Sequence, residues 1–263
     1  MPTFERPTVS LHYEDSGAGE PAIVFLHGWC DDAAGWAATA ADFSETHRCI
    51  VPEMRGHGRS GMPRDHGYFP EALAGDVVAL CGHLGVEHPV LVGHSFGGFL
   101  AASIAHRHPS FARAVVVEDQ PLDLRGFHAQ MLAIESVVRD PEAHVAFREQ
   151  FLDSLVSPAM PPADRDLLNA SSRATPVEVG QALWAPLFEF TSDEIAERSD
   201  QLMAALSRQP SLTVEAAPQQ AYHAALGLLA PSVGTAVIPS GHWIHLEHPA
   251  EFRAALREFL SRL

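Results

Sequence analysis

Five consecutive residues, Gly93-His94-Ser95-Phe96-Gly97, have the types and spacing to do chemistry. They spell G-x-S-x-G, and what flanks them gives the pattern its meaning. Val90, Leu91 and Val92 form an apolar run that stops at Gly93. Gly97 and Gly98 then open a small-residue stretch that continues through Ala101, Ala102, Ile104 and Ala105. A buried strand, a one-residue corner and a helix follow one another. At such a corner the glycines let strand and helix approach closely, while the serine takes a strained backbone that lifts its hydroxyl out of the sheet. The positive end of the new helix lies beside it. Ser95 is therefore a candidate nucleophile, and it needs a base, a carboxylate to orient that base, and donors for a developing oxyanion.

The rest of the chain must supply and position these groups. Residues 8–15 alternate and predict an edge strand, ended by the turn Ser16-Gly17-Ala18-Gly19. Residues 21–26 are a continuous apolar run, a strand buried on both faces, which ends at His27-Gly28-Trp29-Cys30. Residues 48–53 predict another strand. Leu73, Val77, Leu80 and Leu84 place a core-facing stripe on a helix over 70–84. The strand over 113–119 carries Glu118 and Asp119 at its C-terminal end, the edge of a parallel sheet where ligands bind.

From 122 to about 206 buried strands disappear. Helical segments are predicted near 127–138, 141–155, 161–172, 176–187 and 192–206, punctuated by prolines. Their apolar side chains, Trp184, Leu187, Phe188 and Phe190 among them, exceed what five short helices need for each other, so some are expected to line a pocket. Strands over 211–216 and 234–238 and helices over 219–229 and 249–263 complete the chain.

This order of elements around G-x-S-x-G resembles the α/β-hydrolase fold superfamily over nearly the whole chain. The resemblance implies a mostly parallel sheet flanked by helices, with a core of 1–122 and 207–263 and an inserted helical cap of 123–206. The H-G-x loop implies that the backbone N–H groups of Trp29 and Phe96 form the oxyanion hole. Ser240-Gly241-His242-Trp243-Ile244-His245-Leu246-Glu247-His248-Pro249 resembles the family's G-H-x-x-H-L-E-x-P segment, which makes His242 the base. Glu53 stands where the family's D-x-R-G-x-G-x-S loop has aspartate, and its implied role is structural.

The acid departs from the commonest pattern. Relatives place an aspartate after the strand matching 211–216, and Glu215-Ala216-Ala217-Pro218-Gln219-Gln220 has none. Zearalenone lactonases and the cofactor-free 3-hydroxy-4-quinolone 2,4-dioxygenases carry it instead after the strand that follows the elbow helix. Asp119 fits there as the last residue of that strand. Glu118 points to the other face by alternation, and Glu215 is the next candidate.

A nucleophilic serine, histidine and carboxylate imply hydrolysis of an ester or lactone. With an apolar cap the expected substrate is a small to medium hydrophobic molecule, contacted by His94, Cys30, Trp184, Phe188 and Trp243. Cys30 has no activating base in sequence and is read as packing at the pocket's edge. The alternative is cofactor-independent oxygenation of a 3-hydroxy-4-quinolone, with His242 and Asp119 as base and Ser95 only binding. Phe96 and Ala33, where those enzymes tend to have histidine, weigh against it. A third possibility is a member of the fold that binds a ligand without turning it over.

Composition bounds the partners. The 263 residues carry a formal charge of −16, with seventeen arginines and no lysine. Nucleic acid and anionic membranes are thereby disfavoured. No apolar run is long enough to span a membrane, and residues 1–6 lack a signal-peptide layout, so a cytoplasmic location is expected. Three scattered cysteines make neither a disulfide framework nor a zinc site, and His242, His245 and His248 in a loop lack a metal motif. No cofactor or metal is implied, and a monomer or homodimer is expected.

Overall fold

The computed structural model describes residues 2–263; Met1, which opens the segment inspected for a signal peptide, lies outside them. Eight strands form one sheet: β1 (Thr3–Glu5), β2 (Ser10–Ser16), β3 (Ile23–Leu26), β4 (Cys49–Pro52), β5 (Val90–His94), β6 (Ala114–Glu118), β7 (Ser211–Glu215) and β8 (Gly234–Val237). Their order is β1-β2-β4-β3-β5-β6-β7-β8. β2 pairs antiparallel with both β1 and β4, and every later pairing is parallel. The expected edge strand is thus covered by β1, which at three residues is too short to show alternation.

Strand periodicity sorts the core into two layers. Ile23, Phe25, Val90, Val92, Ala114 and Val116 pack on one side of the sheet with Trp36, α1 (Ala37–Phe43) and α12 (Pro249–Leu260). Val24, Leu26, Leu91, Val115 and Val117 pack on the other with α2 (Pro70–His83) and α3 (Phe96–Arg107). α1 follows a short 3₁₀ turn and is too short for periodicity to announce it.

Between β6 and β7 come α4 (Arg125–Leu132), α5 (Glu135–Arg139), α6 (Pro141–Leu155), α7 (Pro162–Ala174), α8 (Val177–Glu189) and α9 (Ser192–Ala205). Asp140 caps α6 by accepting from the amides of Glu142 and Ala143, and Thr191 and Glu194 cap α9 reciprocally. α10 (Gln220–Leu229) joins β7 to β8, and α11 (Ile244–Glu247) precedes α12. Among the described residues no helix is long and apolar enough to cross a membrane.

Behind β4 the expected bracing loop forms. Glu53 is buried, its carboxylate accepts from the Arg59 amide and guanidinium, and its carbonyl accepts from Ser60 Oγ at 2.6 Å. Arg55 grips Asp76 of α2 with two bonds of 2.7 and 2.9 Å, a planar fork that ties this loop to the core.

Candidate active site

The corner at Ser95 is held open by contact. A Cβ on Gly97 would lie 2.2 Å from the Leu26 carbonyl oxygen, and one on Gly93 would lie 2.1 Å from that of Gly97. Only glycine lets β5, α3 and β3 meet this closely. Ser95 itself sits at φ 51°, ψ −123°, a strained conformation for a side chain with a Cβ. Its amide donates to the Glu118 carbonyl at 2.9 Å, and its carbonyl takes the amides of Gly98 and Phe99. Among the described residues its hydroxyl has no partner, and it faces a cavity of about 680 Å³ that His242 and Asp119 also line.

His242 Nδ1 lies 2.7 Å from Asp119 Oδ2. Asp119 follows β6 rather than ending it, at φ 44°, and its second oxygen accepts the Ala216 amide at 3.0 Å. His242 and Ser95 line the same cavity. Glu118 takes the opposite face, as alternation requires, and its Oε1 accepts both the amide and Nδ1 of His245 at 2.9 and 2.8 Å. The bond anchors the start of α11, three residues beyond His242. Glu215 pairs with His223 at 2.7 Å and not with His242. The three late histidines do not converge: His242 meets Asp119, His245 meets Glu118, and His248 lies 3.9 Å from Glu251.

The loop at Gly28 closes over the serine, and a Cβ there would lie 3.4 Å from that of Ser95. Phe96 supplies the first amide of α3, and among the described residues neither it nor the Trp29 amide has a backbone partner. His27 fixes this loop. Its Nε2 accepts the Met54 amide at 2.9 Å, so its Nδ1 carries the proton and donates to the Gly28 carbonyl at 2.9 Å. Sequence alone did not reveal this brace, because the Met54 amide comes from the next strand's loop.

The candidate pocket residues divide. Trp184 and Trp243 line the cavity, and the Trp29 indole donates to Gly180 O of α8 at 3.0 Å, tying the loop after β3 to the inserted helices. His94 also reaches the cavity but is buried, and its Nε2 donates to the His242 carbonyl at 3.0 Å, so this nitrogen braces the His242 backbone. Cys30 and Phe188 lie off the cavity. Burial pushes the Cys30 thiol up to about 12, which leaves it inert. Pro186 lies within the last turns of α8, where it and Leu187 line the cavity while Phe188 faces Arg139. Phe99, Arg107 and Arg198 line it too and were not among the sequence candidates.

Several histidines beneath the site are held neutral. Burial pushes His27 down to about 4 and His57 to about 3, the latter helped by His27, and burial together with His242 and His245 holds His94 well below the ordinary 6.5. Unfolding frees all three to bind protons below pH 6.5. Burial works oppositely on Asp31, raised to about 7, and raises Glu215, so the folded chain holds protons there that the unfolded one releases. The histidines outnumber these acids. Stability should therefore fall as pH drops from 6.5 towards 4, by roughly 1–3 kcal/mol per pH unit for one to two net protons. Urea unfolding at pH 7, 6 and 5 checks this, and a level profile would contradict it.

A family model for the alpha/beta hydrolase fold matches residues 21–133. Over 120 residues the chain is 38% identical to an epoxide hydrolase of Caballeronia sordidicola, a match covering 45% of this chain and 36% of that protein. The chain thus spans about a third of that relative's length. It is 28% identical to the sn-1-specific diacylglycerol lipase ABHD11 of Mus musculus, over 96% of this chain and 85% of that one. The solved thermophilic esterase of Thermogutta terrifontis, with malate bound, matches with a TM-score of 0.77 at 25% identity, over 100% of this chain and 99% of that one. The chain has the α/β-hydrolase fold, and these similar proteins are hydrolases.

Proposed function

We propose that the protein is a serine hydrolase that cleaves an ester or lactone of a small to medium hydrophobic substrate. The observation that carries this is the 2.7 Å contact between His242 Nδ1 and Asp119 Oδ2 in the same cavity as a strained, unpartnered Ser95. In the first half-reaction Ser95 Oγ bonds to the carbonyl carbon while His242 Nε2 takes its proton. The carbonyl electron pair moves to oxygen, where the Trp29 and Phe96 amides hold it. Collapse breaks the bond to the leaving alcohol, which takes the proton from His242. Water then repeats the sequence on the acyl-serine, releasing the acid and restoring Ser95.

The resemblance to an epoxide hydrolase does not extend this chemistry to epoxides. Ring opening by Ser95 would leave an ether, which has no carbonyl for water to attack. An ester or lactone leaves an acyl group that water can remove.

Residues 123–206 act in this reading as the cap. Trp29, Phe127, Phe151 and Trp184 form an aromatic wall, with Trp184 centred 4.9 Å from Trp29 and 5.4 Å from Phe127 and Phe151. The wall suits an apolar acyl or alcohol group. Three free, buried cysteines suit a reducing compartment, and we place the protein in the cytoplasm. The test is a fluorophosphonate probe read by intact mass. One adduct is expected on the parent and none on Ser95→Ala.

A further inference from the structure

The cavity does not end at Ser95. α3 contributes Phe96, Phe99, Ser103, His106 and Arg107 to its wall, a spacing of three, four, three and one that follows a single face of the helix. The cavity is thus a channel running the length of α3. The rise per residue puts Arg107 roughly 18 Å along the axis from Ser95. α9 forms the facing wall with Ile195, Arg198, Gln201 and Leu202.

Near the serine the channel is aromatic; at its far end it is cationic. The Arg198 guanidinium lies 3.8 Å from the centre of the Phe190 ring, which fixes its plane. Glu71 of α2 bonds Arg107 and lies 3.8 Å from Arg198 Nη1, so one carboxylate faces two guanidiniums. Asp123, the other acid on this stretch of wall, is already paired with Arg125 at 2.9 Å. Glu194, one turn before Arg198 on α9, also acts on that guanidinium, but Arg208 stands with Arg107 and Arg198 around His106, so three guanidiniums face two carboxylates at this end of a protein whose net charge is −16. His106 registers it: after burial, Arg208, Arg107 and Arg198 hold its proton affinity below that of an ordinary histidine.

We propose that Arg107 and Arg198 form an anion-binding subsite that selects extended substrates carrying a terminal carboxylate or phosphate. This rests on Ser95 being the nucleophile and adds a ruler to it. An extended chain advances roughly 1.2 Å per bond. The arginine side chains cover part of the span, so roughly eight to twelve bonds separate the reacting carbonyl from the anion. Exposed ion pairs are weak, so the anion displaces Glu71 at little cost. Arg198 belongs to α9 and Arg107 to α3, so the anion also ties the inserted helices to the core.

The test compares the p-nitrophenyl esters of acetic and decanoic acids with the mono-p-nitrophenyl ester of decanedioic acid, in the parent and in Arg107→Gln/Arg198→Gln. Both arginines are partly exposed, so the variant should fold. In the parent the carboxylate-ended ester should exceed decanoate in kcat/KM by about tenfold or more, as charge-assisted hydrogen bonds provide. The double variant should lose that preference and keep acetate turnover. Equal turnover of the two long esters, or a preference that survives in the variant, would overturn the proposal. Binding separates it from the hydrolase reading. Monomethyl decanedioate should bind the parent about tenfold more tightly than dimethyl decanedioate, and not the variant, whether or not any ester is cleaved. Equal affinities would also overturn it.

Discussion

Ser95→Ala should lower ester turnover by on the order of 10⁵- to 10⁶-fold, the loss expected when the attacking atom of a triad is removed. Alanine meets the same backbone strain at φ 51° as serine does, and the hydroxyl has no partner to lose, so the variant should keep the parent's unfolding midpoint. The fold-change therefore reads chemistry and not stability. It also separates two reactions the site could run. If His242 and Asp119 only deprotonated a 3-hydroxy-4-quinolone, Ser95 would serve in binding, and its loss would leave much of the rate. A parent that takes no fluorophosphonate adduct and keeps its activity as the alanine variant would sink acyl transfer, and oxygen uptake with 3-hydroxy-4-quinolones would be measured next. A parent with neither activity would be a ligand-binding member of the fold.

Much of the fold was legible because strands buried on both faces read as unbroken apolar runs and the elbow has a signature in five residues. The two-layer core follows from parity: Val115 and Val117 to one side, Ala114 and Val116 to the other. The same parity separated Glu118 from Asp119. What sequence could not give was contact between distant segments. The bond from the Met54 amide to His27, the brace from His94 to the His242 carbonyl, and the sharing of Glu71 between Arg107 and Arg198 join residues far apart in sequence. The channel had a partial signal, since the 96–99–103–106 spacing on α3 is readable. Nothing in the sequence says that α9 stands opposite it. Phe188 shows the complementary failure: helical spacing groups it with Trp184, but its ring packs against the Arg139 guanidinium, a contact no spacing announces.

Asp119→Asn should cost on the order of 10³- to 10⁴-fold in kcat, through the tautomer of His242 rather than through loss of contact. The geometry dictates how asparagine would sit. One carboxylate oxygen of Asp119 accepts the Ala216 amide at 3.0 Å, and only a carbonyl oxygen can keep that bond. The asparagine oxygen stays there, and its NH₂ group turns to His242 Nδ1. An N–H donor at that place makes Nδ1 the acceptor and puts the ring proton on Nε2, which then cannot take a proton from Ser95. Asp119→Ala lacks that enforced tautomer and should retain more activity than the asparagine variant, an order that simple loss of a carboxylate would not produce. Glu215→Gln is the control, because Glu215 Oε2 lies 2.7 Å from His223 Nε2 and does not touch His242. Its kcat should stay within a fewfold of the parent. A collapse in Glu215→Gln beside an active Asp119→Asn would move the acid to β7, where relatives of this fold most often keep it.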